Sequence, residues 1–216
     1  MISVIVCSAK NSGWNKHMRH IESTIGFPYE YIRIDNTTHQ HSLSSAYNQG
    51  VKSAKSDLLV FVHEDVFFLT PEWGAVLWRK FINPQIGIVG VAGSQLLLPD
   101  KPMWVSAGSP FIHGNILHHD GSRIILSVYS QEMMDTQVVA VDGLFMAVRK
   151  SLFHTIRFDE ETFDGFHFYD LDICMQIRRT HSVIVTHDIL VKHLSKGVFD
   201  KVWGRYGKKL DQKSVV

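Results

Sequence analysis

The sequence predicts an α/β fold. Short apolar runs rich in β-branched residues recur along its first hundred positions, segments with apolar residues at helical spacing alternate with them, and polar clusters close several of the runs. Ile2 to Cys7 (ISVIVC) reads as a buried first strand that stops at Ser8. Tyr31 to Ile34 (YIRI) is the second, ended by the turn formers Asp35-Asn36-Thr37-Thr38. Ser42 is placed to cap a helix over 43–55, where Leu43, Ala46, Tyr47, Val51 and Ala54 share one face. Leu58 to Val62 (LLVFV) is a third buried strand and runs straight into His63-Glu64-Asp65. Pro71 can open a helix whose inner face holds Trp73, Val76, Leu77 and Phe81. Ile86 to Val91 is another strand, set with Gly87 and Gly90 and followed by Gly93.

The second half changes character. Residues 94–137 are rich in turn formers and short mixed strands, with no long periodic helix. Val138 to Val141 and Leu144 to Val148 read as strands flanking Asp142-Gly143, residues 170–180 as a helix, and Val183 to Thr186 as a last strand. No repeat, low-complexity tract or linker divides the chain, so one domain over 1–216 is expected.

Composition narrows the function classes. With 22 Lys+Arg against 21 Asp+Glu the net charge is +1, which excludes the global basic field of a non-specific nucleic-acid binder. A hydrophobic content of 45% is too high for disorder. Cys7 and Cys174 lie far apart without CxxC spacing, so neither a disulfide scaffold nor a structural zinc cluster is expected. No apolar run reaches membrane-spanning length, and no basic flank precedes the first apolar stretch. The expectation is a soluble, cytoplasmic domain.

In open α/β sheets ligands gather outside the carboxyl ends of strands. The candidates there are Ser8, Ala9 and Lys10, then Asp35 and Asn36, and above all His63-Glu64-Asp65. Three adjacent ionisable residues cannot all be buried unpaired. Either they turn out of the sheet, with Asp65 capping the next segment, or a cation offsets their charge. Glycine-rich phosphate loops are absent: there is neither GxxxxGK[ST] nor GxGxxG. Late in the chain, Asp170 and Asp172 stand two apart where a helix begins. Both can complement the helix dipole, or one can serve as a general base. Most of the thirteen histidines read as bland, with His17, His20, His39 and His41 in polar contexts and His118-His119 in a solvated turn. His193, closing the apolar stretch Ile189-Leu190-Val191, stands apart from these.

Taken in order, these segments resemble the GT-A fold glycosyltransferases of family 2, over roughly residues 2–197. ISVIVCSAKN resembles the first strand and its nucleotide loop, and IRIDNTT the end of the second strand. Leu43 to Gly50 (LSSAYNQG) is similar to a helix bearing Asn-x-Gly, and LLVFVHEDV to the strand that ends in Asp-x-Asp. VDGLFMAVRK, FDEETFDGFHFYDLDICMQIRR and His193-Leu194-Ser195 match the later segments. The resemblance implies a Rossmann-like mixed sheet flanked by helices, with a nucleotide-binding half over 1–100 and a sugar and acceptor half over 101–196. It further implies that Asp65 and His193 hold a divalent metal, manganese or magnesium. Ser8, Ala9, Lys10, Asp35, Asn36, Asn48, His63 and Glu64 would surround the nucleotide of a UDP-sugar. Asp142 and Gly143 would border the sugar and acceptor, and Asp170 would be the catalytic base of an inverting transfer. Two positions depart from the pattern: His63 stands for the first Asp of Asp-x-Asp, and Tyr169 for the Glu of Glu-Asp. They motivate a rival, a UDP- and metal-binding protein without transfer. A metal-dependent nucleotidyltransferase or phosphodiesterase is a second rival. The acceptor implied is a glycan, a lipid or a small molecule.

The tail 197–216 has its own pattern. Phe199, Val202, Trp203, Tyr206 and Leu210 fall at helical spacing among Lys196, Lys201, Arg205, Lys208, Lys209 and Lys213. Such a helix can dock on the domain or a second subunit, or lie peripherally on a membrane. Docking is the expectation.

Overall fold

The computed structural model describes residues 1–10, 13–99, 101, 103–119, 121–131, 133–195 and 206–210. The first half runs β1 (Ile2–Ser8), α1 (Trp14–Thr24), β2 (Tyr29–Asp35), α2 (Leu43–Ser53), β3 (Leu58–Val62), β4 (Val66–Phe68), α3 (Trp73–Lys80), β5 (Ile86–Gly90) and β6 (Ala92–Ser94). The second runs β7 (Ile112–His119), β8 (Ile124–Val128), β9 (Thr136–Val138), β10 (Ala140–Val141), β11 (Phe145–Arg149), α4 (Tyr169–Ile177), β12 (Ser182–Val185) and β13 (Val191–His193).

Seven strands form the main sheet in the order β2-β1-β3-β11-β5-β12-β9. β1 pairs in parallel with both β2 and β3, while β11 enters antiparallel between β3 and β5. The apolar runs are buried because the sheet is covered: every residue of LLVFV is inaccessible or nearly so. A smaller sheet, β10-β6-β7-β13-β4 with β8 on β7, takes up the chain where β3 and β5 end, since β4 follows β3 and β6 follows β5. Its pairing of β13 with β4 sets His193 opposite Val66.

Two contacts show how tightly the helices sit. A Cβ on Gly50 would come 2.3 Å from Ile5 Cγ2, so a side chain there would push α2 off β1. Two residues earlier, the Asn48 amide donates to the Phe158 carbonyl at 2.9 Å and accepts from its N–H at 3.1 Å. The Asn-x-Gly segment therefore fastens α2 to the sheet and to the loop before α4. Asn48, expected to face the nucleotide, has both ends of its amide engaged by backbone.

Other expectations also shift. The predicted helix over 170–180 is shorter, at Tyr169–Ile177. The turn-rich stretch 94–137 contains the hairpin of β7 and β8, and His118 and His119 belong to β7 rather than to a solvated turn. His17 is buried, with Nδ1 2.9 Å from Tyr31 Oη and Nε2 3.0 Å from the Val66 carbonyl. Of the tail, Tyr206 and Leu210 are buried, and Tyr206 Oη donates to Asp164 Oδ1 at 2.5 Å. This portion docks on the domain. Lys196, Phe199, Lys201, Val202, Trp203, Arg205 and Lys213 lie outside the described residues.

Candidate active site

The carboxyl ends of β1 and β3 open into a cleft of ≈ 960 Å³. Lys10, Glu64, Asp65, Asp142, Asp170 and His193 line it together. Each is delivered by the end of an ordered element. Glu64 and Asp65 follow β3 directly, and Glu64 Oε1 accepts the Ala9 N–H at 3.3 Å, tying the loop after β1 to the loop after β3. The β4–β13 ladder continues through Leu194 N donating to the Asp65 carbonyl at 3.1 Å, which brings Asp65 and His193 face to face.

His63, Asp65 and His193 form the centre of this arrangement. One potential ligand atom from each lies within 4.8 Å of the other two. His193 Nε2 is 3.5 Å from Asp65 Oδ1 and 2.9 Å from Ser195 Oγ. Burial alone would raise the Asp65 carboxyl, but hydrogen bonding and charge from His193, with His63 beyond, hold it down at about 2. Burial lowers His63 and keeps its imidazole neutral, the form that binds metals. For His193 burial pulls down, yet the Asp65 hydrogen bond and charge prevail and raise it. Two imidazoles and one carboxylate fit a borderline divalent cation such as manganese better than magnesium, which prefers all-oxygen shells. The sequence reading set His63 against the nucleotide; the geometry groups it with Asp65 and His193.

Behind that centre, His63 Nε2 hydrogen-bonds Tyr169 Oη at 2.7 Å. Such an outer partner fixes ring orientation and leaves Nδ1 as the nitrogen Tyr169 does not use. Tyr169 is the first residue of α4, and Asp170 follows it into the cleft. Asp170 Oδ2 accepts the Gly143 N–H at 2.9 Å and Oδ1 the Leu171 N–H at 2.9 Å. Burial, reinforced by the charge of Asp142, raises the Asp170 carboxyl to about 7, against the pull of those N–H groups. A carboxylate poised there can take a proton from a hydroxyl at neutral pH. Asp172 is otherwise engaged, accepting from Gln176 Nε2 at 2.8 Å.

Asp142 is held by two donors, Trp104 Nε1 at 2.8 Å and the Leu144 N–H at 2.9 Å. Gly143 is buried under Tyr169, where a Cβ would lie 2.2 Å from its hydroxyl oxygen. Of the remaining expected residues, most lie outside the cleft lining. Ser8 is buried and its hydroxyl donates to the Lys10 carbonyl at 3.2 Å. Asn36 is buried, its amide exchanging hydrogen bonds of 2.9 Å with the His41 backbone. Asp35 is exposed and accepts the Thr37 N–H at 3.0 Å. Ala9 lines the cleft; Ser8, Asp35, Asn36 and Asn48 do not.

Sequence reasoning missed Trp104, His118, Tyr129 and Ser195, all of which line the cleft. Ser195 alone carried a signal, two residues past His193. The others come from irregular sequence or from a strand without clear alternation.

Comparison with known proteins gives a family and a fold. A family model described as "Glycosyltransferase like family" matches residues 3–213. No curated protein matches the chain. Among solved structures, GalNAc-T7 crystallised with UDP, GalNAc and Mn2+ superposes with a TM-score of 0.62 at 13% identity, over 91% of this chain and 44% of that one. S. aureus TarS 1-349 gives 0.56 at 14% identity, covering 89% and 60%. A197 from STIV gives 0.55 at 10%, covering 90% and 86%. The chain thus spans less than two thirds of the GalNAc-T7 and TarS chains. At these identities the likeness is one of fold, and that fold is GT-A.

Proposed function

The chain belongs to the glycosyltransferase-like family, and from that premise we propose that it transfers a sugar from a UDP-sugar to an acceptor hydroxyl, with metal dependence and inversion. One observation carries the reading: His63, Asp65 and His193 converge in the same cleft as Asp170, at the carboxyl ends of parallel strands. The UDP and Mn2+ bound by GalNAc-T7 support the same donor and metal here.

In this reading Ala9, Lys10 and Glu64 border the nucleotide, and Lys10 meets the diphosphate charge. His63, Asp65 and His193 would hold a divalent cation, which would supply positive charge against the departing UDP. Asp142, locked by Trp104 and Leu144, orients sugar hydroxyls. Asp170 accepts the acceptor's hydroxyl proton as that oxygen bonds to the anomeric carbon. The bond from that carbon to the diphosphate oxygen breaks, and its electron pair leaves with UDP. Attack opposite the leaving group inverts the anomeric centre, by the logic of single-displacement glycoside hydrolysis.

Calorimetric titration with UDP tests the donor site, repeated with manganese, with a chelator, and in Asp65→Ala and His193→Ala variants. Metal-dependent binding that both substitutions abolish is the expected result. Absence of binding under every metal condition overturns the reading. UDP binding without turnover of any UDP-sugar returns the chain to a binding role, and turnover of nucleoside triphosphate with a sugar phosphate makes it a nucleotidyltransferase.

A further inference from the structure

The wall of the cleft beyond Asp142 is built for apolar company. Trp104 packs edge-on to Tyr129 with ring centres 5.1 Å apart, and its indole N–H is spent on Asp142. Through Asp142-Gly143 this wall adjoins Asp170, since the Gly143 N–H binds the Asp170 carboxylate. From there the lining continues along Met103, Val105, Ile125 and Phe166. None of these four side chains carries a hydrogen-bonding N–H or O–H. Ile125 and Phe166 stand 49% and 47% exposed, so their burial by a ligand is still to be gained.

A subsite for a free sugar ring needs polar groups placed around its hydroxyls, because each desolvated hydroxyl left unpaired weakens binding. Met103, Val105, Ile125 and Phe166 offer none, and the polar side chains nearby include Ser127, Tyr129 and His118, the last two 3.3 Å apart and paired with each other. The supporting hairpin continues the pattern. β8 reads Ile-Ile-Leu-Ser-Val, pairs only with β7 among the described residues, and carries no charge. Exposed edge strands are ordinarily blunted with charged side chains. Here Ile125 and Ser127 face the cleft while Leu126, between them, faces the other way.

We infer that the acceptor is an amphiphile, a hydroxyl-bearing head group on a long alkyl or isoprenoid chain. Its hydroxyl reaches Asp170 past Asp142, and its chain lies along Met103, Val105, Ile125 and Phe166. This inference rests on the transferase reading and narrows the acceptor class of the same site.

The test is calorimetry on the full chain with UDP and manganese present. The probes are hexyl, octyl and decyl β-glucosides below their micellar concentrations, with glucose and maltose as chain-free probes. Affinity should rise about two- to fourfold for each added methylene, as burial of a CH₂ predicts, and the free sugars should bind at least about 100-fold more weakly than octyl glucoside. Ile125→Ser should weaken octyl glucoside about tenfold, whereas Leu126→Ser, on the opposite face of β8, should leave it unchanged. Affinity independent of chain length, free sugars binding as tightly as alkyl glucosides, or sensitivity to Leu126→Ser in place of Ile125→Ser would each overturn the inference. Titration with UDP alone separates the two readings: intact UDP binding with no chain-length effect sinks the acceptor class only.

Discussion

His63 and Tyr169 are hydrogen-bonded, Nε2 to Oη at 2.7 Å, across the floor of the cleft. They are the two positions that depart from the motifs the sequence resembles. A carboxylate beside a carboxylate would repel; an imidazole beside a phenol does not. The two departures therefore form one unit: Tyr169 holds the ring that stands with Asp65 and His193, and Gly143 leaves room for the phenol.

Removing the phenolic hydroxyl should loosen that unit. Tyr169→Phe strands a buried His63 nitrogen, at a cost of about 1–3 kcal/mol in stability. Manganese affinity should fall roughly 10- to 100-fold, the usual effect of losing an outer-shell partner. Chemical denaturation and metal titration of the variant give both numbers. Unchanged metal affinity would mean that His63 is no ligand.

Gly143→Ala should be poorly tolerated for a related reason. The new Cβ would sit 2.2 Å from Tyr169 Oη, and the fully buried phenol has little room to retreat. Overpacking of this kind costs about 1–3 kcal/mol. Adding Tyr169→Phe should recover part of the loss, and a double-mutant cycle from urea melts measures that coupling.

Transfer should depend on pH through Asp170. Its carboxyl sits at about 7, and only the ionised form can accept a proton. The rate should therefore fall about tenfold per unit as pH drops below 7 and level off above it. Asp170→Asn should lower kcat by roughly 10²- to 10⁴-fold while leaving the UDP titration unchanged. A flat pH–rate profile between pH 5 and 8 would remove Asp170 from the role of base.

Metal should stabilise the fold as well as serve the reaction. At a concentration about 100 times its Kd, manganese adds about 2.7 kcal/mol to the native state, which a thermal melt reports as a raised Tm. Asp65→Ala should abolish the shift, and a chelator should reverse it in the unsubstituted protein.

Much of this frame is written in the chain, though unevenly. β1 and β3 are legible because a strand buried on both faces must be apolar throughout, and α2 because Ser42 caps it, its hydroxyl accepting the Ser45 N–H at 3.1 Å. α1 escapes because its inner face is lined by His17 where a helix ordinarily shows an aliphatic residue. That histidine, pushed down to about 4 chiefly by burial, is a core residue satisfied by Tyr31 and Val66, contacts that no local pattern encodes. The site divides in the same way. Asp65, His193 and Asp170 could be located by motif order, whereas His63 joining the first two depends on the phenol of α4. Trp104 reaches Asp142 from a stretch with no periodicity at all.

The pairing of β4 with β13 has a temporal side. Asp65 is made well before His193, and nothing local to either brings them together. An emerging polypeptide can complete β1 to β5 and still lack the grouping of His63, Asp65 and His193 until β13 closes alongside β4. A cation bound as proposed would therefore report that β13 has closed alongside β4.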